Sequence, residues 1–337
     1  MRGLICAVSF ACFFLPAIGA EPPQQKDMDL SWAFPMTDKI LPPAEDDSVV
    51  RQIPGSVKSY TQAQIDDLSH PPDWFPEEHA PMPPVVQHGG GKTVPACASC
   101  HLASGLGHPE SANLAGLSAE YLARQIADFK SGARNDPPRE RMTEIAKGLS
   151  DDDAKQASEW FATLKPSIWE KVVETNIVPK TFVDKGHMRF VLPGGGTEPV
   201  GDRIIELPQD PVRIASRDPH CGFIAYVPVG SIAKGEALVK TGDSGKTIPC
   251  SICHGPSLTG LGEVPRIAGR SPIYIVRQLY AFQTGARIGG LAELMKAVTA
   301  QLNQDDMVAI AAYVASRDPL GETQPAATSN AKQSPQR

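Results

Sequence analysis

The sequence predicts an all-α fold made of two tandem copies of one small domain, with a Pro-rich arm in front and a long irregular connector between the copies. Three observations carry that reading. From residue 97 onward the first copy matches the second at a constant offset of 153 positions. Each copy holds apolar-periodic segments with helix start and stop signals, and neither shows the period-two alternation of a strand. The length of 337 residues also fits about two domains, each able to close its own core.

Composition removes several classes. With 41% hydrophobic and 21% charged residues the chain is too balanced to be wholly disordered. Seven Cys are too few for a disulfide-dense secreted scaffold. A net charge of −6 gives no basic footprint, so nucleic acid is not an expected partner. The 29 Gly and 32 Pro predict much irregular chain around whatever packs.

Residues 1–20 read as a secretory signal peptide. Arg2 precedes an apolar run from Leu4 to Ile18, and small residues Ala17, Gly19 and Ala20 close it. The run is shorter than the roughly 20 residues needed to cross a bilayer, and Ser9-Phe10-Ala11-Cys12 does not resemble a lipoprotein box. No other stretch is apolar enough to span a membrane, so an exported, soluble mature chain is expected. Cleavage would remove Arg2, taking the charge to −7, together with Cys6 and Cys12.

Four of the five remaining thiols fall in Cys97-Ala98-Ser99-Cys100-His101 and Cys250-Ser251-Ile252-Cys253-His254. C-x-x-C-H is the attachment signature of a c-type haem. Two thiols add to the two vinyl groups, and the adjacent imidazole is aimed at the iron. Residue frequencies give roughly 0.003 such motifs by chance in a chain of this length. A thioredoxin-like pair has no need of the following His. The two halves of a four-thiolate zinc site normally lie about 15–20 residues apart. The motifs therefore predict covalent haem at Cys97, Cys100, Cys250 and Cys253, with His101 and His254 as iron ligands.

The repeat nominates the second ligand. Met142 and Met295 obey the 153-residue offset, and Met commonly completes a low-spin cytochrome haem. A Met at helical spacing is otherwise core filler, which describes Met307 on the apolar face of the last helix. Met28, Met36, Met82 and Met188 have no repeat partner. His108 is replaced by Leu261 in the second copy and reads as a solvated loop residue.

Helix signals repeat as well. Ser118 caps a segment with Leu122, Ile126 and Phe129 on one face and Gly132 beyond its end; Ser271, Pro272 and Gly285 do the same in the second copy. The last helix of each copy opens on Ser150-Asp151-Asp152-Asp153 or Asn303-Gln304-Asp305-Asp306, where acidic residues suit the helix dipole, and ends before Pro166 or Pro319. Ser231 to Lys240 predicts an opening helix in the second copy, whereas Pro81, Pro83 and Pro84 allow at most a short one in the first.

Both copies resemble class I cytochrome c domains, and the pair resembles the dihaem cytochrome c4 family. The matching residues are the two C-x-x-C-H motifs, Tyr121-x-x-Arg124-Gln125 with Tyr274-x-x-Arg277-Gln278, the Gly-Ala-Arg turns ending at Arg134 and Arg287, and the paired Met. The resemblance covers roughly residues 81–165 and 231–317. It implies two covalent haem c groups with His/Met ligation and a periplasmic electron carrier between a dehydrogenase donor and a cytochrome or oxidase acceptor. A dihaem oxidoreductase such as a peroxidase or thiosulfate dehydrogenase, or a cytochrome subunit of a dehydrogenase complex, is the alternative. The Pro of the family's Pro-x-Leu-Ala-Gly loop, whose carbonyl steadies the proximal His, is kept as Pro265 but is Ala112 in the first copy, so the two haems need not be equivalent.

Three segments fall outside the resemblance. Residues 21–80 read as a strap tied down by Trp32, Trp74 and Phe75. Residues 166–230 carry β-like runs at Arg203–Leu207 and Phe223–Val227 and the unassigned Cys221, either a protected thiol or, with His220, a group that reaches a haem or substrate. Residues 319–337 read as a mobile tail. The expected division is thus 1–20, 21–80, 81–165, 166–230, 231–318 and 319–337.

Overall fold

The structure, a computed structural model, describes residues 28–39, 41, 46–91 and 93–321. The expected signal peptide and the tail beyond Gly321 lie outside the described residues. The arm contributes β1 (Val50–Arg51), β2 (Tyr60–Thr61) and α1 (Gln62–Asp66). The first copy contains α2 (Pro84–Gln87), α3 (Ala98–His101), α4 (Ala119–Ser131), α5 (Arg141–Gly148) and α6 (Asp151–Thr163). The connector holds β3 (Glu170–Glu174), β4 (Ile177–Pro179), β5 (Thr181–Val183), β6 (Arg189–Val191), β7 (Thr197–Pro199), β8 (Ile205–Pro208), α7 (Pro211–Ala215) and β9 (Phe223–Val227). The second copy follows with α8 (Ser231–Thr241), α9 (Ser251–His254), α10 (Pro272–Thr284), α11 (Glu293–Thr299) and α12 (Gln304–Ala315).

The fold is helix-rich, at 38% helix and 13% strand, rather than all-α. Every named strand lies in the arm or the connector, where β-branched and aromatic runs stand between Gly and Pro turns. In both copies the caps fall where the side chains dictate. Ser118 and Ser271 accept from the backbone N–H of Tyr121 and Tyr274, and Gly132 and Gly285 end their helices in the left-handed conformation. Ser150 caps α6, and Asn303 with Asp306 forms a capping box on α12.

The connector is a structural partner of both copies. In its three-stranded sheet β9 is central, parallel to β3 and antiparallel to β8. Phe223, at one end of β9, joins the first core with Leu102, Leu122, Phe161, Trp169 and Cys221. Ala225 and Val227 join the second core with Leu238, Val276, Met307 and Ile310. Met307 is core filler, as its position on the last helix predicts.

The arm is anchored as its aromatics predict. Trp32 enters the second core. Trp74 and Phe75 form a small cluster with Ile53 and Ile65, and the Trp74 indole donates to the Ser216 carbonyl at 2.8 Å. Each large apolar side chain buried in this way contributes about 1.5–3 kcal/mol, enough in sum to hold an otherwise irregular segment.

The repeat motifs meet across a pseudo-twofold contact between the copies. Arg134 donates to Gln125 of its own copy and to Tyr274 and Gln278 of the other; Arg287 donates to Gln278 of its own copy and to Tyr121 and Gln125 of the other, all at 2.7–3.1 Å. Backbone pairs Asn135 N–H to Ala286 O and Ile288 N–H to Ala133 O, both 2.8 Å, follow the same exchange. So do the ion pairs Arg124–Glu263 and Arg277–Glu110, and each central Arg also sits 4.5 Å over the ring of its own Phe129 or Phe282.

Two outcomes follow from this packing. A Cβ at Gly235 of α8 would lie 2.0 Å from the Ala309 carbonyl of α12, so Gly235→Ala is expected to lower stability by about 1–3 kcal/mol through overpacking, read by thermal unfolding. Arg287→Ala is expected to cost about 1.5–3 kcal/mol in urea unfolding of the holoprotein. A double-mutant cycle with Tyr121→Phe should show coupling above about 0.5 kcal/mol; additive effects would remove Tyr121 from the contact.

Candidate haem sites

Each C-x-x-C-H sequence forms a single helical turn, α3 or α9, ending on its histidine. The loop that follows folds back through a turn whose glycine donates to the histidine carbonyl, Gly107 to His101 at 3.0 Å and Gly260 to His254 at 2.9 Å. Both glycines have positive φ, and a Cβ there would strike backbone oxygens of Ser111 or Val264. The turn brings the Ala112 and Pro265 carbonyls to 2.8 Å from Nδ1 of His101 and His254. Nδ1–H donates to the carbonyl, fixing the tautomer and leaving Nε2 for a metal. Ala112 thus makes the same contact as Pro265, so this hydrogen bond does not distinguish the two sites.

Burial lowers the pKa of both histidines, against the opposing carbonyl contacts, which keeps them in the neutral, ligating form. Burial also pushes the Cys97 thiol up to about 12 and the Cys250 thiol up to about 11. A redox-active C-x-x-C pair requires the reverse, a lowered pKa.

Met142 sits in the first turn of α5, whose opening is fixed by Asp136 accepting from the N–H of Met142 at 2.8 Å and from Thr143. It lines one cavity of about 1500 Å³ together with Cys97, Cys100 and His101. That is larger than most small-molecule pockets. Met295, half-buried on α11, packs against the second core. Cys250 is half-buried, Cys253 exposed and His254 buried.

Between the copies lies a concentration of buried cations. Arg134, Arg266, Arg270 and Arg287 are all buried, and among the described ion pairs none joins them to a carboxylate. The Nε atoms of Arg266, Arg270 and Arg287 have no hydrogen-bond partner. Burial, with Arg270 beside it, pulls Arg266 down to about 9. Burial alone would raise the Tyr274 phenol, but Arg134, Arg270 and Arg287 outweigh it and bring it down to about 7. Buried cations in this state call for anions, and the propionates of a haem are such anions. The thiols, neutral histidines, cavity and orphaned guanidinium groups together fit two covalent haem c groups.

Several residues were not legible as site residues. Arg266 and Arg270 stand where the first copy has Asn113 and Leu117, and the two Arg reach across to the Asn113 side chain and carbonyl. The broken offset at these two positions was the available signal. His108 is not a solvated loop residue. The His108–Ser111 bridge folds it inward, it lines the cavity with a buried, unpartnered Nδ1, and burial with Arg217 nearby takes its pKa down to about 3. Cys221 is buried, with Sγ 3.9 Å from the Asp210 carbonyl. His220 pairs with Glu78 at 2.9 Å and stacks on Phe75. Neither is among the residues lining the cavity.

The arm and connector also line that cavity, through Phe34, Leu68, Phe182, His187 and Met188. They cover the outside of the first haem loop as well: Arg217 donates to the Ser99 carbonyl and Ala96 N–H to Leu68 O. Ser99 is 2% exposed, whereas Ile252, its repeat partner, is 64% exposed.

No protein-family model matches the chain. It is 30% identical over 236 residues, covering 68% of this chain and 82% of the relative, to a thiosulfate dehydrogenase electron acceptor of Thiomonas intermedia. It is 25% identical over 230 residues, 67% of this chain and 85% of the relative, to cytochrome c4 of Pseudomonas aeruginosa. The solved structure of reduced cytochrome c4 from Pseudomonas stutzeri aligns with a TM-score of 0.43 at 22% identity, covering 66% of this chain and 93% of that one. With two C-x-x-C-H turns, two buried neutral histidines and a relative matched across most of its length, this chain belongs to the cytochrome c4-like family of dihaem c-type cytochromes, which act in electron transfer and carry two covalent haem c groups.

Proposed function

We propose that this protein is a periplasmic carrier of single electrons whose two haem domains, residues 81–165 and 231–318, work as unequal partners, one enclosed and one open. The observation that carries the reading is the pairing of two equivalent His turns with one repeat-matched Met in each copy. Cys97, Cys100, Cys250 and Cys253 would hold the groups covalently, and His101 with Met142 and His254 with Met295 would supply the axial ligands. Haem iron so ligated supplies a one-electron ferric/ferrous couple and needs no open coordination position. The chain's own contribution is to orient the imidazoles through Ala112 and Pro265, to neutralise charge at the junction with Arg134, Arg266, Arg270 and Arg287, and to exclude water.

The uneven covering supports an assignment of direction. The first haem loop lies beneath Arg217 and Leu68, while Ile252 and Cys253 present the second to solvent, so protein partners would exchange electrons at the second haem. The likeness to the thiosulfate dehydrogenase electron acceptor of Thiomonas intermedia supports a thiosulfate dehydrogenase as donor. No helix of the described residues is long and apolar enough to cross a membrane, consistent with docking partners that are met in solution. One observation favours a second reading, oxidation of a substrate at the first haem. That cavity is lined by Arg139, Arg217 and His108; Arg139 and His108 give way to Ala292 and Leu261 in the second copy, and Arg217 belongs to the connector.

Spectroscopy through a redox titration separates the readings. Two low-spin His/Met haems support the carrier; a high-spin or thiolate-ligated haem overturns it in favour of catalysis. Met142→Ala and Met295→Ala should each lower one potential, within the ~0.8 V over which axial ligands tune haem, and open one iron to small ligands. If either variant leaves both haems unchanged, that ligand assignment is wrong. Ile252→Glu should change the rate and salt dependence of electron exchange with a partner while leaving both potentials in place; an unchanged rate would remove the second haem as the docking side.

A further inference from the structure

The connector sheet buries two carboxylates that electron transfer does not explain. Glu170 on β3 and Glu206 on β8 are each 2% exposed. In the register of the sheet Glu170 stands opposite Phe223 and Glu206 opposite Ala225. Phe223, Ala225 and both carboxylates therefore lie on one buried face. Phe223 belongs to the core of the first copy and Ala225 to that of the second, so the pair sits at the junction of the two haem domains.

The surroundings of the pair are unequal. Glu206 accepts from Ser271 Oγ at 2.9 and 3.0 Å and from the Ile273 N–H at 2.9 Å, at the start of α10. Glu170 has no partner on either oxygen. One turn further along α10, Arg277 faces Glu206 but is engaged by Glu110, which also pairs with Arg139. On the remaining sides, α12, which packs against β3 and β9, carries no ionisable group from Met307 to Ala312. Lys171 and Glu174 of β3 are exposed, and Glu174 accepts from the Ile232 N–H. No cation compensates Glu170.

We propose that Glu170 and Glu206 form a buried proton-binding site in which Glu170 stays neutral and Glu206 takes up a proton when the protein is reduced. Two ionised carboxylates cannot share a dry site without a cation, so the stable charge is one acid and one carboxylate. In the oxidised protein Glu206, with two donors, keeps the charge, and Glu170 carries the proton. Burial raises both groups, Glu206 to about 7 and Glu170 well above the ordinary carboxylate range, where the charge of Glu206 adds to burial.

The link to reduction rests on the carrier reading above. An electron arriving from the donor adds one negative charge to the molecule. A proton drawn from solvent forms an O–H bond on the dyad and offsets part of that charge; no other bond changes. The folded pair thus gains protons as electrons enter, and the potential should fall as pH rises through the neutral range.

The test is a reduced-minus-oxidised infrared difference spectrum of the holoprotein in H2O and D2O, for wild type, Glu170→Gln and Glu206→Gln. The expected result is a deuterium-sensitive carbonyl band of a protonated carboxyl in wild type, growing on reduction, lost in Glu206→Gln and kept in Glu170→Gln, which replaces a neutral acid by a neutral amide. The midpoint potential should depend on pH in wild type and in Glu170→Gln and be flat over the same range in Glu206→Gln. Absence of the band in wild type, its survival with an unchanged pH slope in Glu206→Gln, or a tightly held metal in its place by elemental analysis would overturn the proposal. The haem spin states, read separately, report on the carrier assignment, so the two ideas fail independently.

Discussion

Much of this structure depends on two guanidinium groups placed back to back. Arg134 and Arg287 each reach past their own glutamine to the tyrosine and glutamine of the other copy. Because the donors of each are acceptors' neighbours of the other, the contact closes only when the copies are related by a twofold exchange. That requirement fixes the orientation of α4 against α10, and with it the two C-x-x-C-H turns relative to one another. It also brings positive charge into a buried junction where no described ion pair joins Arg134 or Arg287 to a carboxylate, a state that the propionates of a haem would relieve.

The duplication sets the symmetric part, and the added segments break it. The His turns are alike to within a tenth of an ångström in their proximal hydrogen bonds. The arm and connector, by contrast, close over the first haem loop and leave the second exposed. Arg266 and Arg270 add charge from the second copy only. The two sites differ in covering and charge, not in the histidine hydrogen bond at the Ala112 to Pro265 exchange that the sequence brings to attention. A carrier with one protected and one accessible centre has a defined entry for partners, and the connector sheet, packed on both cores, holds that arrangement rigid.

The helices were legible because their signals are local. Ser118, Ser150, Ser271 and Asn303 each accept from the backbone N–H three residues ahead, and Gly132 and Gly285 need only their own φ. The C-x-x-C-H chemistry was legible for the same reason, since five consecutive positions contain it. The Tyr-x-x-Arg-Gln and Gly-Ala-Arg motifs were visible as repeats, but their partners are about 140–166 positions away, and no local pattern names such partners. His108 was misread because its sequence neighbours are polar loop residues, while the groups that bury it come from the connector.

The sequence by itself determined the duplication and the helix caps, and it named the thiols, histidines and repeat-matched methionines proposed to hold the haems, all of which rest on short-range chemistry or on comparison of the chain with itself. Tertiary structure alone decided the twofold contact, the enclosure of the first haem loop, the buried arginines at the junction and the pairing of Glu170 with Glu206. Each of these depends on burial. A charged side chain has no fixed cost in a sequence; only the packing around it decides whether it lies in water, where it is ordinary, or in a dry core, where it must find a counter-charge, a hydrogen-bond partner or a proton.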